Sequence, residues 1–462
     1  VNEILDFSIA EALRELVAGN LSSVELTTAA LSRIERTEPI LHAYAAVAAE
    51  AALSAARMAD DELRHGLCRG PLHGIPVGVK DVVCTRNLPT EAGSAVLKGV
   101  QPNFDATVVE RLRHGGAVLV GKTVTSEFAF GPRIIPTRNA WAQDRTPSGS
   151  SSGSAVSVAA RSCFAAVATD TAGSLRSPAG VNGVVGLKPT FGRVSTWGVI
   201  PMSPSLDHVG PIARTVADCA AAYSVIAGFD QRDPCSIEGD VPLPCLENVR
   251  LDGLRVGVER THLPGPTTHP LALNAAVEAA AVLQQLGAAV VEVKIPELEW
   301  VDPSLLTIKT AEASAGHSAR LVTDAANYQQ RTRVMLQAGA MIPAVRHVQA
   351  QQARKLVTDA VRETFRRHRL DALLGPGWGP PSSMSDDASV PFTHPLRSSA
   401  VNLTGMPAVN VPCGFTEDGV PLGGIELWGR PRGEGMILRI AAVYERVGRW
   451  HRRVPPIAQE AG

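Results

Sequence analysis

Apolar positions along this chain follow two rhythms. Near the N-terminus Val24, Leu26, Leu31 and Ile34 keep roughly helical spacing. Ser8 with Glu11, and Ser22 with Glu25, stand at the separation of a capping box, so each serine predicts a helix start. The alanine-rich stretch 43–64 predicts a third helix. At Gly74-Ile-Pro-Val-Gly-Val-Lys-Asp-Val-Val83 the rhythm changes to a strand-like apolar run. A helix is predicted over 105–114 and a strand over 117–120. The stretch 155–169, apolar but interrupted at Arg161, predicts a short helix and then a buried strand. Segments 254–258, 271–286 and 289–295 predict a strand, a helix and a strand, and so a parallel pair. An amphipathic helix over 351–369 leads into a strand at 371–374. Residues 229–246, rich in Asp, Pro and Cys, read as a surface connection. Helices alternate with strands and no long linker intervenes, which predicts one α/β domain over 1–462.

Composition narrows the function. With 462 residues, 45% hydrophobic and 19% charged, the chain can bury a large core. A net charge of -1 gives no electrostatic reason to expect nucleic acid or an anionic membrane as partner. The N-terminal residues lack the pattern of a signal peptide and no apolar run is long enough to span a bilayer, so a cytoplasmic protein is expected. Seven scattered cysteines without a CxxC pair favour reduced thiols. Twelve dispersed histidines without HxH or HExxH spacing imply no metal.

Candidate chemistry concentrates in two runs, Pro147-Ser-Gly-Ser-Ser-Ser-Gly-Ser154 and Thr169-Asp-Thr-Ala-Gly-Ser-Leu-Arg176. The first lies at a predicted helix N-terminus, and the second leaves a strand by a tight turn with Ser174 at its tip. Both places present free backbone N–H groups, as a developing oxyanion requires. Lys80 is the third candidate. The chain has seven lysines against thirty-seven arginines, so general composition does not explain a lysine among valines. It either snorkels or pairs with Asp81, or it is a desolvated lysine whose lowered pKa makes it a neutral base.

Two other motifs mislead. Gly116-Ala-Val-Leu-Val-Gly-Lys-Thr123 matches GxxxxGK[ST], but a helix precedes its first glycine and four apolar residues fill the crossing. A phosphate loop needs the opposite order of elements. Gly149-Ser-Ser-Ser-Gly153 matches GxSxG, but a polar segment precedes it where a nucleophile elbow needs a buried strand.

Lys80 in Gly-Val-Lys-Asp, the two serine-bearing runs, Gly183-Val-Val-Gly-Leu-Lys-Pro-Thr190, Ser205-Leu-Asp-His-Val-Gly-Pro211, Asn402-Leu-Thr-Gly-Met-Pro-Ala408 and Trp450-His-Arg-Arg453 together resemble the amidase signature family of serine hydrolases. The resemblance covers essentially the whole chain. It implies a mixed, twisted central sheet covered by helices on both faces, with 1–70 an N-terminal helical segment, 71–228 the signature core and 229–462 the remainder with cleft loops. By resemblance Ser174 is the nucleophile, Ser150 a bridging serine after a cis peptide, and Lys80 the base. A serine hydroxyl needs such a base to become a competent nucleophile. The amides of Thr171, Ala172, Gly173 and Ser174 are the implied oxyanion hole. Arg176 and Asp207 match family residues and are expected to support the site without touching substrate. Lys188 belongs to the pattern without a derivable role.

The chain departs from the family at Ala172, where a second glycine is usual, at Ser148, a common glycine position, and at Asn182, often cysteine. Alanine at 172 would cost about 1 kcal/mol if that position needed positive φ. Substrate choice falls to segments 128–136, 341–343 and 375–380, where Phe128, Ile134, Ile135, Met341 and Trp378 form either packed loops or the walls of an apolar cleft. A cleft of that kind suits hydrophobic amides, esters or carbamates, with no cofactor, and a homo-oligomer is compatible with the sequence. The alternative is the glutaminase-like A subunit of a tRNA-dependent amidotransferase, which works with partner proteins and ATP. A silent binding protein is disfavoured, since all three catalytic positions are filled.

Overall fold

Both capping boxes form in the computed structural model, which describes residues 2–130, 135–241, 244–265, 268–384 and 399–460. Ser8 and Ser22 each accept the amide of the glutamate three residues on and donate their own amide to its carboxylate, opening the helices Ile9–Ala18 and Ser23–Leu41. The stretch 43–64 is not one helix. Its first residues form strand β1 (Tyr44–Val47), and the helix occupies Ala49–Arg64. Alanine favours helix, but β1 pairs antiparallel with the distant β3 (Val118–Thr123), and tertiary pairing overrides local propensity.

The remaining strands are β2 (Pro76–Lys80), β4 (Ala165–Asp170), β5 (Val185–Lys188), β6 (His208–Ala213), β7 (Arg255–Glu259), β8 (Ala289–Val293), β9 (Ala372–Pro376), β10 (Ala408–Val411) and β11 (Ile425–Trp428). All belong to one sheet in the order β1-β3-β2-β4-β6-β5-β10-β11-β9-β7-β8. Two parallel groups, β3-β2-β4 and β9-β7-β8, flank an antiparallel middle. The fold is therefore a mixed α/β sheet. The predicted parallel unit is present as β7, the helix Pro270–Gln285 and β8.

Continuous apolar strands are explained by cover on both faces. Along β4, Ala165 and Val167 join a core that includes Val108, Leu112, Val216 and Ile226, from the helices Thr107–His114 and Val216–Ile226. Ala166 and Ala168 join a second core with Ile34, Ala52, Ala56 and Val156, from the helices Ser23–Leu41, Ala49–Arg64 and Ser152–Ala159. The period of two thus divides one strand between two cores.

The phosphate-loop look-alike is strand β3 itself, wholly buried, with Gly121 so close to β1 that a Cβ there would meet the Ala46 carbonyl. No helix among the described residues is long and apolar enough to cross a membrane.

Candidate active site

Parallel register brings the ends of β2 and β4 together. The pairing of β2 with β4 ends with Val79 opposite Val167, and beyond it Lys80 at the end of β2 and Thr169 near the end of β4 approach each other. Lys80 is fully buried, and its Nζ lies 2.7 Å from Ser150 Oγ and 2.7 Å from Thr169 Oγ1. Burial pulls its pKa down to about 7, while Asp170 and Asp207 pull it back up. Lys80 does not pair with Asp81, whose carboxylate instead faces Lys122 at 3.4 Å.

Ser150 follows a cis peptide bond from Gly149 and precedes the helix Ser152–Ala159. That helix start is pressed against its surroundings: a Cβ on Gly153 would lie 2.2 Å from the Ala43 carbonyl. Ser151 is fully buried and donates its hydroxyl to the Thr169 carbonyl (3.1 Å) and its amide to the Ser174 carbonyl (3.1 Å). It is a structural clasp, not an elbow nucleophile.

Ser174 is half-buried, and its hydroxyl has no partner among the described residues. Its turn is held from beneath. Asp170 accepts the Gly173 amide at 2.6 Å and the Arg176 Nε at 3.0 Å. Arg176, fully buried, also donates to both Glu426 oxygens (2.9 Å each) and to Asn402 Oδ1 (2.8 Å). Asn402 returns its amide to the Asp170 carboxylate at 2.8 Å. Burial opposes the charge on Asp170, but Arg176 outweighs it and holds the carboxyl well below its usual range. Arg176 and Asp170 thus shape the turn from below.

This bracing corrects the expected oxyanion hole. The Gly173 amide is spent on Asp170, a side-chain turn within the peptide run. The amides of Ala172 and Ser174 donate to no acceptor among the described residues. Positive φ falls on Gly173 (99°), not on Ala172, so alanine carries no backbone strain. Gly173 is also needed for space, since a Cβ there would sit 2.4 Å from the Trp378 ring.

The other two departures brace the runs against each other. Ser148 Oγ lies 2.6 Å from Ser177 Oγ, and Asn182 Nδ2 donates to the Pro147 and Pro178 carbonyls at 3.0 and 2.9 Å. Lys188 donates to the Pro189 and Met406 carbonyls, which gives it a structural role. Asp207 accepts the Thr171 hydroxyl at 2.6 Å and the Met202 and Ser203 amides at 2.8 and 3.0 Å. Burial still pushes its carboxyl up to about 6.

Of the residues expected to line a cleft, Trp378 reaches the site. Its Nε1 donates to Glu426 at 3.2 Å and its ring covers Gly173. Phe128 does not line a cleft: it is fully buried, with its ring 4.4 Å from that of His317 and 5.5 Å from that of Tyr328. The left-handed backbone at Phe128 accompanies this inward position. Ala129 next to it, with Thr169, Thr171 and Asp207, lines a cavity of about 60 Å³. Ile135 is buried, and Met341 is 82% exposed, which places it in solvent and not in a cleft wall. Ile134 lies outside the described residues. Sequence reasoning missed Thr169 and Glu426. Nothing local marks either residue, and only the folded contacts Thr169–Lys80 and Glu426–Arg176 reveal them.

The amidase family model matches residues 25–438. The chain belongs to the amidase family. The glutamyl-tRNA(Gln) amidotransferase A subunit of Chloroflexus aggregans is 39% identical over 99% of this chain and 100% of its own. Among solved structures, peptide amidase from Stenotrophomonas maltophilia is 33% identical over 97% of this chain and 98% of its own, with a TM-score of 0.83. A chain from a vestigial protein complex that reveals the origins of an s-triazine catabolic enzyme is 29% identical over 96% and 99%, with a TM-score of 0.89.

Proposed function

We propose that this amidase-family chain hydrolyses amide C–N bonds through an acyl-enzyme on Ser174. The observation that carries the reading is a buried amine of pKa about 7 held 2.7 Å from Ser150 Oγ with no carboxylate hydrogen-bonded to it. Neutral Lys80 takes the Ser150 proton while Ser150 takes that of Ser174, and Ser174 Oγ attacks the carbonyl carbon. The unspent amides of Ala172 and Ser174, with that of Thr171 beside them, receive the oxyanion. As the C–N bond breaks, the proton returns from Lys80 through Ser150 to the departing nitrogen. Water then repeats the sequence against the acyl-enzyme. Esters and carbamates present the same carbonyl and are candidate substrates too.

For the substrate, the full-length similarity to amidotransferase A subunits favours a glutamine-like primary amide, cleaved in the company of partner proteins. Ala172, where a second glycine is usual, has an unstrained backbone and does not weigh against that reading. One observation favours a hydrophobic amide instead: Trp378 forms an aromatic wall against the turn that carries Ser174. Purified protein assayed alone against glutamine, peptide amides and nitroanilides separates the two. Turnover of an apolar amide by the isolated chain supports the second, and glutamine hydrolysis that appears only with partner subunits supports the first. Ser174→Ala abolishes either; activity that survives it overturns the acyl-enzyme.

A further inference from the structure

One close neighbour of Lys80 has no part in the relay just described. Thr169 Oγ1 lies 2.7 Å from Lys80 Nζ, as near as Ser150 Oγ, and Thr169 is only 5% exposed. We propose that Thr169 is a positioning residue whose hydroxyl aims the Lys80 amine at Ser150. The inference rests on the Lys80–Ser150–Ser174 reading above.

A lysine amine sits at the end of four rotatable bonds, and one contact fixes its place without fixing the direction of its lone pair. The second contact fixes that direction. When Lys80 is an ammonium it donates to both hydroxyls. When it is neutral, one N–H still donates to Thr169 and the lone pair faces the Ser150 proton. Thr169 therefore accepts the same bond in both states, and no partner needs to rearrange as the proton moves. A carboxylate in its place would hold the proton on Lys80, and an apolar side chain would leave the amine free to turn.

The main chain of Thr169 reinforces this. Its carbonyl accepts the Ser151 hydroxyl, and Ser151 donates its amide to the Ser174 carbonyl, so one residue ties together the base, the bridging serine's neighbour and the nucleophile's turn. The charges acting on Lys80 from the surrounding elements are those of Asp170 at the end of β4 and Asp207 before β6. Asp81, next along from Lys80, is turned toward Lys122 of β3. None of these carboxylates competes with Thr169 for a contact with the amine.

The test needs no known substrate. A fluorophosphonate forms a bond from Ser174 Oγ to phosphorus, expels fluoride and leaves the serine proton on the relay, so its labelling rate against pH reads how well the base works. Thr169→Val keeps the side-chain volume and deletes the hydroxyl. We expect its plateau labelling rate to fall about tenfold or more. The acid limb should move to lower pH, because the ammonium loses an acceptor. Thr169→Ser should restore both plateau and limb. A wild-type profile in Thr169→Val overturns the inference, as does a fall in rate that tracks lost thermal stability with the limb unmoved, or a Thr169→Ser profile no better than that of Thr169→Val. Lys80→Met run alongside separates the two readings. Undiminished labelling there overturns the relay and this inference together, whereas an inert Lys80→Met beside an unaffected Thr169→Val overturns this inference alone.

Discussion

Two fully buried lysines stand on neighbouring strands with opposite surroundings. Lys122 of β3 is opposite Val79, one residue from Lys80 at the end of β2. Lys122 donates to the Val83 carbonyl at 2.7 Å and the Thr90 hydroxyl at 2.6 Å, and faces the Asp81 carboxylate at 3.4 Å. Lys80 has two hydroxyls and no carboxylate in contact. Burial lowers both pKa values, but Asp81 is in contact with Lys122, whereas Lys80 feels Asp170 and Asp207 only at a distance. Burial alone therefore does not make a base. A carbonyl and a carboxylate keep a proton on nitrogen, and hydroxyls let it travel.

The sharpest way to break this comparison is to remove each amine in turn. Lys80→Met should lower amide turnover and fluorophosphonate labelling by about 10³-fold, in the middle of the range for general-base effects, without breaking an ion pair. Lys122→Met should leave Asp81 buried and unpaired, and cost about 3 kcal/mol or more in denaturant unfolding while folded protein keeps its labelling rate. A variant pair with these outcomes exchanged would sink the assignment.

A pH series sharpens the same contrast. In the proposed relay neutral Lys80 is the active form, so the labelling rate should rise through pH 7. The unfolded chain keeps Lys80 protonated up to its ordinary pKa, whereas the folded protein releases that proton near 7. Between those limits the unfolded state binds more protons, so stability rises with pH, by at most about 1.4 kcal/mol per unit from this group. Lys80→Met should lose that share of the slope, seen by comparing unfolding curves of the two proteins at pH 7.5 and 9. The smallest effect belongs to Thr90→Val, which should cost about 1 kcal/mol of stability and leave the labelling profile unmoved.

These contrasts also mark what was legible in the sequence. Both capping boxes were, because a serine and a glutamate three residues apart carry their whole mechanism locally. The parallel unit at β7 and β8 was, through its change of period. β1 was not, since its alanines favour helix and its partner β3 lies far along the chain. Lys80 and Lys122 both follow apolar residues in the sequence, and only their tertiary partners tell them apart. Phe128 read as a cleft residue because an apolar, proline-broken loop looks the same whether its ring turns inward or outward. The Gly173 amide was assigned to the oxyanion before the reach of Asp170 was visible. What the family resemblance supplied was the proposed set of reacting residues; what it could not supply was which donors around them were already occupied.

The support beneath Ser174 comes from the far end of the chain. Arg176 is anchored by Asn402 and by Glu426 of β11, a strand that sits inside the sheet between β10 and β9. A nascent polypeptide that has emerged as far as residue 228 already carries Lys80, Ser150 and Ser174, yet its Arg176 guanidinium lacks the Asn402 and Glu426 acceptors. Hydrolytic competence should therefore arrive late in synthesis, when the last sheet strands are inserted, so that a ribosome-tethered fragment lacking them stays silent and catalysis itself reports that those strands are in place.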